Sequence, residues 1–230
     1  MGTPAFAADM AVKAPPPPPP APVYSWTGWY VGVNIGYSVS DNRSTLTSFV
    51  NPVIGLDNAE SYKISPDGIL GGVQLGYNWQ AGSFLFGVEG DIQATGQKDS
   101  VCVLQCTIDG TVRATIDQKL PWLATVRGRL GLVVDRSLLY FTGGGAFGQV
   151  KTSITEVDGA AFVTTVSESK TKSGWTVGGG IESALTGNWT AKIEYLYVDL
   201  GSQTLAFVHA ARPPGFITGT AEMKDHNAVV

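Results

Sequence analysis

Along residues 29–40, apolar and small or polar side chains alternate without a break. Trp29, Val31, Val33, Ile35, Tyr37 and Val39 occupy the odd positions; Tyr30, Gly32, Asn34, Gly36, Ser38 and Ser40 occupy the even ones. A period of two predicts a β-strand, because successive side chains point to opposite faces. The same alternation recurs over 69–79, 84–94, 120–132, 139–147, 175–185 and 189–197. Each segment suits a tilted strand of about 9–11 residues crossing a bilayer. The connections alternate in length. Residues 80–83, 133–138 and 186–188 read as tight turns, whereas 41–66, 97–117, 152–173 and 201–226 read as long polar loops. Short turns at one end and long loops at the other predict an up-and-down antiparallel meander.

The direction of the apolar face separates a soluble barrel from a membrane barrel. Gly32, Gly36, Gly72, Gly76, Gly87, Gly131, Gly144, Gly148, Gly178 and Gly180 share the polar face. Water-facing strands favour Thr, Lys and Glu, whereas a narrow bore favours the smallest residue. Glu89, Asp91, Arg127, Arg129, Glu182, Lys192 and Glu194 lie on that face too. Counting from the turns sets Arg127 near Glu89 and Lys192 opposite Glu182, a lumen lined with paired charges. On the apolar face, Trp29, Tyr77, Trp79, Phe84 and Trp189 adjoin the short turns, and Tyr37, Trp122, Phe147, Trp175 and Tyr195 lie toward the long loops. Two belts of aromatic residues around an aliphatic band match interfacial girdles. The apolar face therefore points to lipid, and the expected fold is all-β, an eight-stranded antiparallel up-and-down transmembrane β-barrel.

Composition agrees with this reading. Charged residues make up 15% of the 230, glycine contributes 29, and the net charge is −4. No basic cluster points to nucleic acid. No run reaches the roughly 18 apolar residues of a membrane-spanning helix, a test to which β-barrels are blind. Residues 1–8 end in Ala5-Phe6-Ala7-Ala8 and read as a signal-peptide remnant. Residues 9–24 contain six consecutive prolines and read as a semi-rigid periplasmic tether, leaving 25–230 for the barrel. Cys102 and Cys106 predict a local disulfide pinning a loop tip in an exported chain, and free thiols otherwise.

Several segments carry a resemblance. PVYSWTGWYVGVNIGY, TVRGRLG, LLYFTGGGAFG, SGWTVGGGIESAL and NWTAKIEYLYVDLG, in that order, resemble the small Gram-negative outer-membrane β-barrel surface-antigen family, often called porin-like. The likeness extends over nearly everything after Val23. It implies an outer-membrane location, structural and surface roles, and contact with outer-membrane lipid and lipopolysaccharide. It supplies no reaction. It also implies a closing strand with a terminal aromatic residue, read by the barrel-assembly machinery. Here Asn227-Ala228-Val229-Val230 looks like only the start of an eighth strand, so the expectation is a C-terminally truncated record.

Catalysis has little to stand on. His209 and His226 are the chain's two histidines, both in or beside the last long loop, and they predict neither a catalytic base nor a metal or haem site. No cofactor or metal is expected, and the loops name no ligand. The expectation is a structural, surface-exposed membrane protein with a lumen plugged by charge. A narrow, low-conductance porin is the alternative, and a soluble lipocalin-like binder is the alternative of another class.

Overall fold

The computed structural model describes residues 24–40, 42–46, 60–104, 112–158, 162–210 and 216–229. Ten strand segments run in chain order: β1 (Gly28–Ser40), β2 (Asn42–Leu46), β3 (Glu60–Ile64), β4 (Gly68–Ala81) and β5 (Phe84–Leu104) come first, then β6 (Val112–Val134), β7 (Ser137–Asp158), β8 (Phe162–Ala184), β9 (Thr190–Ala210) and β10 (Phe216–Val229). Every pairing is antiparallel. The ladder runs β1-β4-β5-β6-β7-β8-β9-β10, and β10 returns to β1. β2 and β3 pair with each other in the register already set by β1 and β4, so they prolong those two strands. The ten segments thus make eight staves, the last of which meets the first at residues 38–40.

The turns show how the sequence enforces this order. β4 and β5 are joined through Gly82, and β6 and β7 through Asp135, both with positive φ. Such residues suit tight hairpins, whose twist then matches that of the strands. β8 passes to β9 through Gly187, also at positive φ.

Three expectations are corrected. The segments read as long loops are largely strand: β5 and β6 reach Leu104 and Val112, β7 and β8 reach Asp158 and Phe162, and β9 runs to Ala210. At the far ends of these extensions both faces of a strand meet water, as at Ser167, Glu168, Ser169 and Lys170, so the alternation that reveals strands disappears while the ladder continues. Second, the eighth stave starts at Phe216, not at Asn227, and pairs with β9 along its length. It meets β1 only at residues 38–40. Below that point, 28–37 of β1 and 190–195 of β9 have no strand between them among the described residues, and a cavity of about 860 Å³ lies along both. Third, the alternation over 120–132 puts Leu120 on the outer face with Trp122, yet Leu120 is buried in the bore. A β-bulge around Pro121 adds one residue to β6 and reverses the parity on its far side.

Residues 1–23, with the signal-like segment and the proline tether, lie outside the described residues.

The two faces differ in the direction the glycine pattern indicated. Val31, Val33 and Ile35 point away from the barrel, Val33 being 84% exposed. The interior is layered. Toward the strand extensions, Leu70, Leu120, Leu123, Ala146, Val150, Leu196, Val198 and Leu200 fill the bore. Toward the short turns, Trp26, Leu85, Leu138, Tyr140 and Ala184 form a second apolar layer, with Tyr24 packed against it. The Trp26 amide donates to Gln80 Oε1 at 3.0 Å, and the Gln80 amide donates to Thr27 Oγ1 at 3.0 Å. These bonds fold residues 24–27 against that end.

Candidate functional site

Between the two apolar layers lies a charged one. Glu89 on β5 is directly opposite Arg127 on β6, and Glu182 on β8 is directly opposite Lys192 on β9. Arg127 is the hub. Its Nη2 donates to Glu89 and, at 3.0 Å, to Asp91 Oδ2, and its Nη1 donates to Glu194 Oε1 at 2.8 Å across the bore. Its side chain is 1% exposed.

Arg129 is two residues along the same inner face. Its Nη2 donates to Glu182 Oε2 at 2.7 Å and its Nη1 to Tyr30 Oη at 2.8 Å. The guanidinium also sits 4.0 Å from the centre of the Tyr140 ring, a cation–π contact in a water-poor place. Lys192 does not pair with Glu182, its neighbour in the ladder. It reaches across to Glu89 Oε2 at 3.3 Å and lies 3.7 Å from Oε2 of Glu194 on its own strand, while Glu182 is held by Arg129 and by the Thr190 hydroxyl. Register therefore sets the height of a charge, and the longer reach of Arg and Lys chooses its partner.

All seven charged residues named from the sequence meet in this layer, three cations against four carboxylates. Two tyrosines complete it. Tyr30 Oη donates to Glu89 Oε2 at 2.6 Å, and Tyr140 Oη donates to Glu194 Oε2 at 2.6 Å. The Thr125 hydroxyl donates to Asp91. The sequence carried the signal for both tyrosines, since each lies on the glycine-bearing parity. Tyrosine also serves in aromatic belts, so its type alone does not distinguish an inward role.

Such a layer is held together by mutual neutralisation. Each carboxylate already accepts from a cation or a hydroxyl, and a buried charge left unpaired costs several kcal/mol. The network is interlocked across β1, β5, β6, β7, β8 and β9, so it ties opposite walls of the barrel together.

On the outside, Trp29, Trp79, Phe84 and Trp189 are well exposed, as are Tyr37, Phe147, Trp175 and Tyr195, while Tyr77 and Trp122 are partly covered. Trp29 stacks edge-on to Tyr77 with ring centres 5.3 Å apart. Cys102 is disulfide-bonded; Cys106 lies outside the described residues. His209 and His226 fall in β9 and β10 instead of in a loop, with side chains outside those described.

An antiparallel ladder of eight staves with an aliphatic exterior and a charged interior has its counterpart in known sequences. The family described as outer membrane protein beta-barrel domain matches residues 5–230. The chain belongs to that family. The outer-membrane barrel is 40% identical over 213 residues to the 31 kDa outer-membrane immunogenic protein of Brucella melitensis biotype 1, covering 90% of this chain and 85% of that one. It is 33% identical over 182 residues to the 22 kDa outer membrane protein of Rhizobium leguminosarum bv. viciae, covering 79% and 68%. Among solved structures, Ail, the attachment invasion locus protein of Yersinia pestis, aligns over 86% of this chain and 98% of its own at 14% identity and a TM-score of 0.31. The outer-membrane barrel is thus a Gram-negative envelope protein, located in the cell outer membrane and all-β in architecture.

Proposed function

We propose that the outer-membrane barrel is a structural, surface-displaying protein whose bore is closed to ions and which catalyses no reaction. One observation supports this reading: the Arg127–Glu89–Asp91–Glu194 and Arg129–Glu182 pairs lie across the bore, with apolar layers on both sides. Conduction needs an open, water-filled path, and an eight-stranded bore is just wide enough for side chains to fill. The Brucella relatives are named as immunogenic outer-membrane proteins, which supports display at the cell surface. The aromatic residues on the outer face would then set the barrel's depth at the two interfaces, and residues 9–24 would tether it on the periplasmic side.

Planar-bilayer recording of the refolded full chain tests the proposal. The expected trace has no stable steps above background. Reproducible small steps would replace it with the narrow-porin reading, and large ones would show that the layered interior opens in lipid.

A further inference from the structure

We propose that Lys98, Lys119 and Lys151 form one outward-facing row that binds phosphorylated headgroups of the outer-leaflet lipid. In the ladder, Lys98 on β5 is directly opposite Lys119 on β6, and Lys119 is directly opposite Lys151 on β7. All three side chains are exposed and on one face. Directly opposed residues have Cβ atoms about 5 Å apart, and like charges so placed repel. No lysine of the row forms an ion pair among the described residues. Two carboxylates flank the row, Asp67 and Asp117, and neither forms an ion pair with it. Asp67, bridged to Lys98 on its other side, uses Oδ1 to accept the Ser40 amide at 2.8 Å. Asp117, one row farther along, pairs in the ladder with Ser100 and Ser153.

The Pro121 bulge makes the row. Below it, the odd residues Thr125, Arg127 and Arg129 are buried in the bore; above it, the even residues Ile116, Gln118 and Leu120 are. Without the extra residue Lys119, also odd, would face inward. Bulges re-aim side chains, and this one adds Lys119 to the two lysines on either side.

Depth identifies the ligand. Lys151 is four residues beyond Phe147 on the same face of β7, toward the strand extensions. At about 3.3 Å per residue and a tilt near 40°, that is roughly 10 Å past the aromatic belt, at headgroup level. A polyanion at that height would relieve the repulsion within the row.

The proposal rests on the placement of this chain in the outer membrane. Its test uses the full chain refolded in zwitterionic micelles, titrated with diphosphoryl lipid A while lipid-dependent thermal unfolding is followed. Lys119→Gln should weaken binding about fivefold, and the triple Lys98→Gln, Lys119→Gln, Lys151→Gln variant about a hundredfold. Lys170→Gln, a lysine outside the row, should bind as the parent does. Without lipid, the triple variant should unfold at or above the parent temperature, since the two directly opposed lysine pairs repel. Undiminished lipid A binding by the triple variant would overturn the proposal. So would equal stabilisation of the parent by dephosphorylated lipid A or by inorganic phosphate. Loss of heat-modifiable gel migration in the parent would count against the barrel placement itself, a result distinct from the lysine readout.

Discussion

Gly143 and Gly144 are adjacent on β7 and face opposite sides of the wall. A Cβ at Gly143 would have its nearest neighbour, the Thr176 carbonyl oxygen, at 3.5 Å, an ordinary contact. A Cβ at Gly144 would sit 2.0 Å from the Val126 carbonyl oxygen and 2.8 Å from Arg127 Cα, both backbone atoms. Gly143→Ala should therefore change stability by less than about 0.5 kcal/mol. Gly144→Ala should cost about 2 kcal/mol or more, because the wall itself must move. Urea titrations of the two variants refolded in micelles compare them directly, and similar midpoints would refute the close approach. Glu89 supplies a second test at this scale. It accepts from Tyr30 and meets Arg127 and Lys192 while fully buried. Glu89→Ala should lower the unfolding free energy by about 3–5 kcal/mol, since it strands cations in the bore. A loss under about 1 kcal/mol in the same titration would mean that Asp91 and Glu194 already suffice.

At the scale of a strand, legibility followed the contrast between the two faces. Residues 29–40 were readable because one face meets lipid and the other a bore that admits glycine, asparagine and tyrosine. Ser167, Glu168, Ser169 and Lys170 are equally part of β8, yet all four side chains are exposed and no alternation marks them. Their ladder is sustained instead by cross-strand pairs such as Ser153 with Ser167, whose hydroxyls are 3.3 Å apart. The Pro121 bulge was hidden for a different reason. Leu120 and Trp122 are both apolar, and hydrophobicity alone cannot tell a residue buried in the bore from one facing lipid. In the charged layer, the heights of Glu89, Arg127, Glu182 and Lys192 were legible from turn counts, whereas the cross-bore partners depend on side-chain reach, which spacing does not encode. The same contrast of faces predicts different tolerance along one barrel. Val33→Arg, at the centre of the lipid face, should cost about 2–4 kcal/mol in vesicles, whereas Thr155→Arg, beyond the band, should cost under about 1. Unfolding midpoints in vesicles would decide it, and equal costs would remove lipid from the outer face.

For the whole molecule, the ring is closed by unequal seams. The β5–β6 and β7–β8 ladders run along nearly the full length of their strands. The β1–β10 seam is confined to residues 38–40 of β1, supplemented by β2 at residues 44–46. Opening a barrel requires one seam to part along its length, and the free energy of parting rises with the number of backbone bonds and buried contacts released. The charged layer adds to this inequality. It joins β5 and β6 through Glu89 and Arg127, yet its tie to β1 is Tyr30, which donates one hydrogen bond to Glu89 and accepts one from Arg129. Partial unfolding should therefore begin at the closing seam. In hydrogen exchange at urea concentrations below the global midpoint, peptides spanning residues 37–40 and 227–229 should lose protection first. Peptides from β5 and β6 within the apolar band should keep theirs until the ring unfolds. The Tyr30→Phe variant should widen the gap between the two transitions, because it removes the hydroxyl that links β1 to both buried ion-pair groups. Simultaneous loss of protection throughout would show instead that the charged layer holds all eight staves as one cooperative unit.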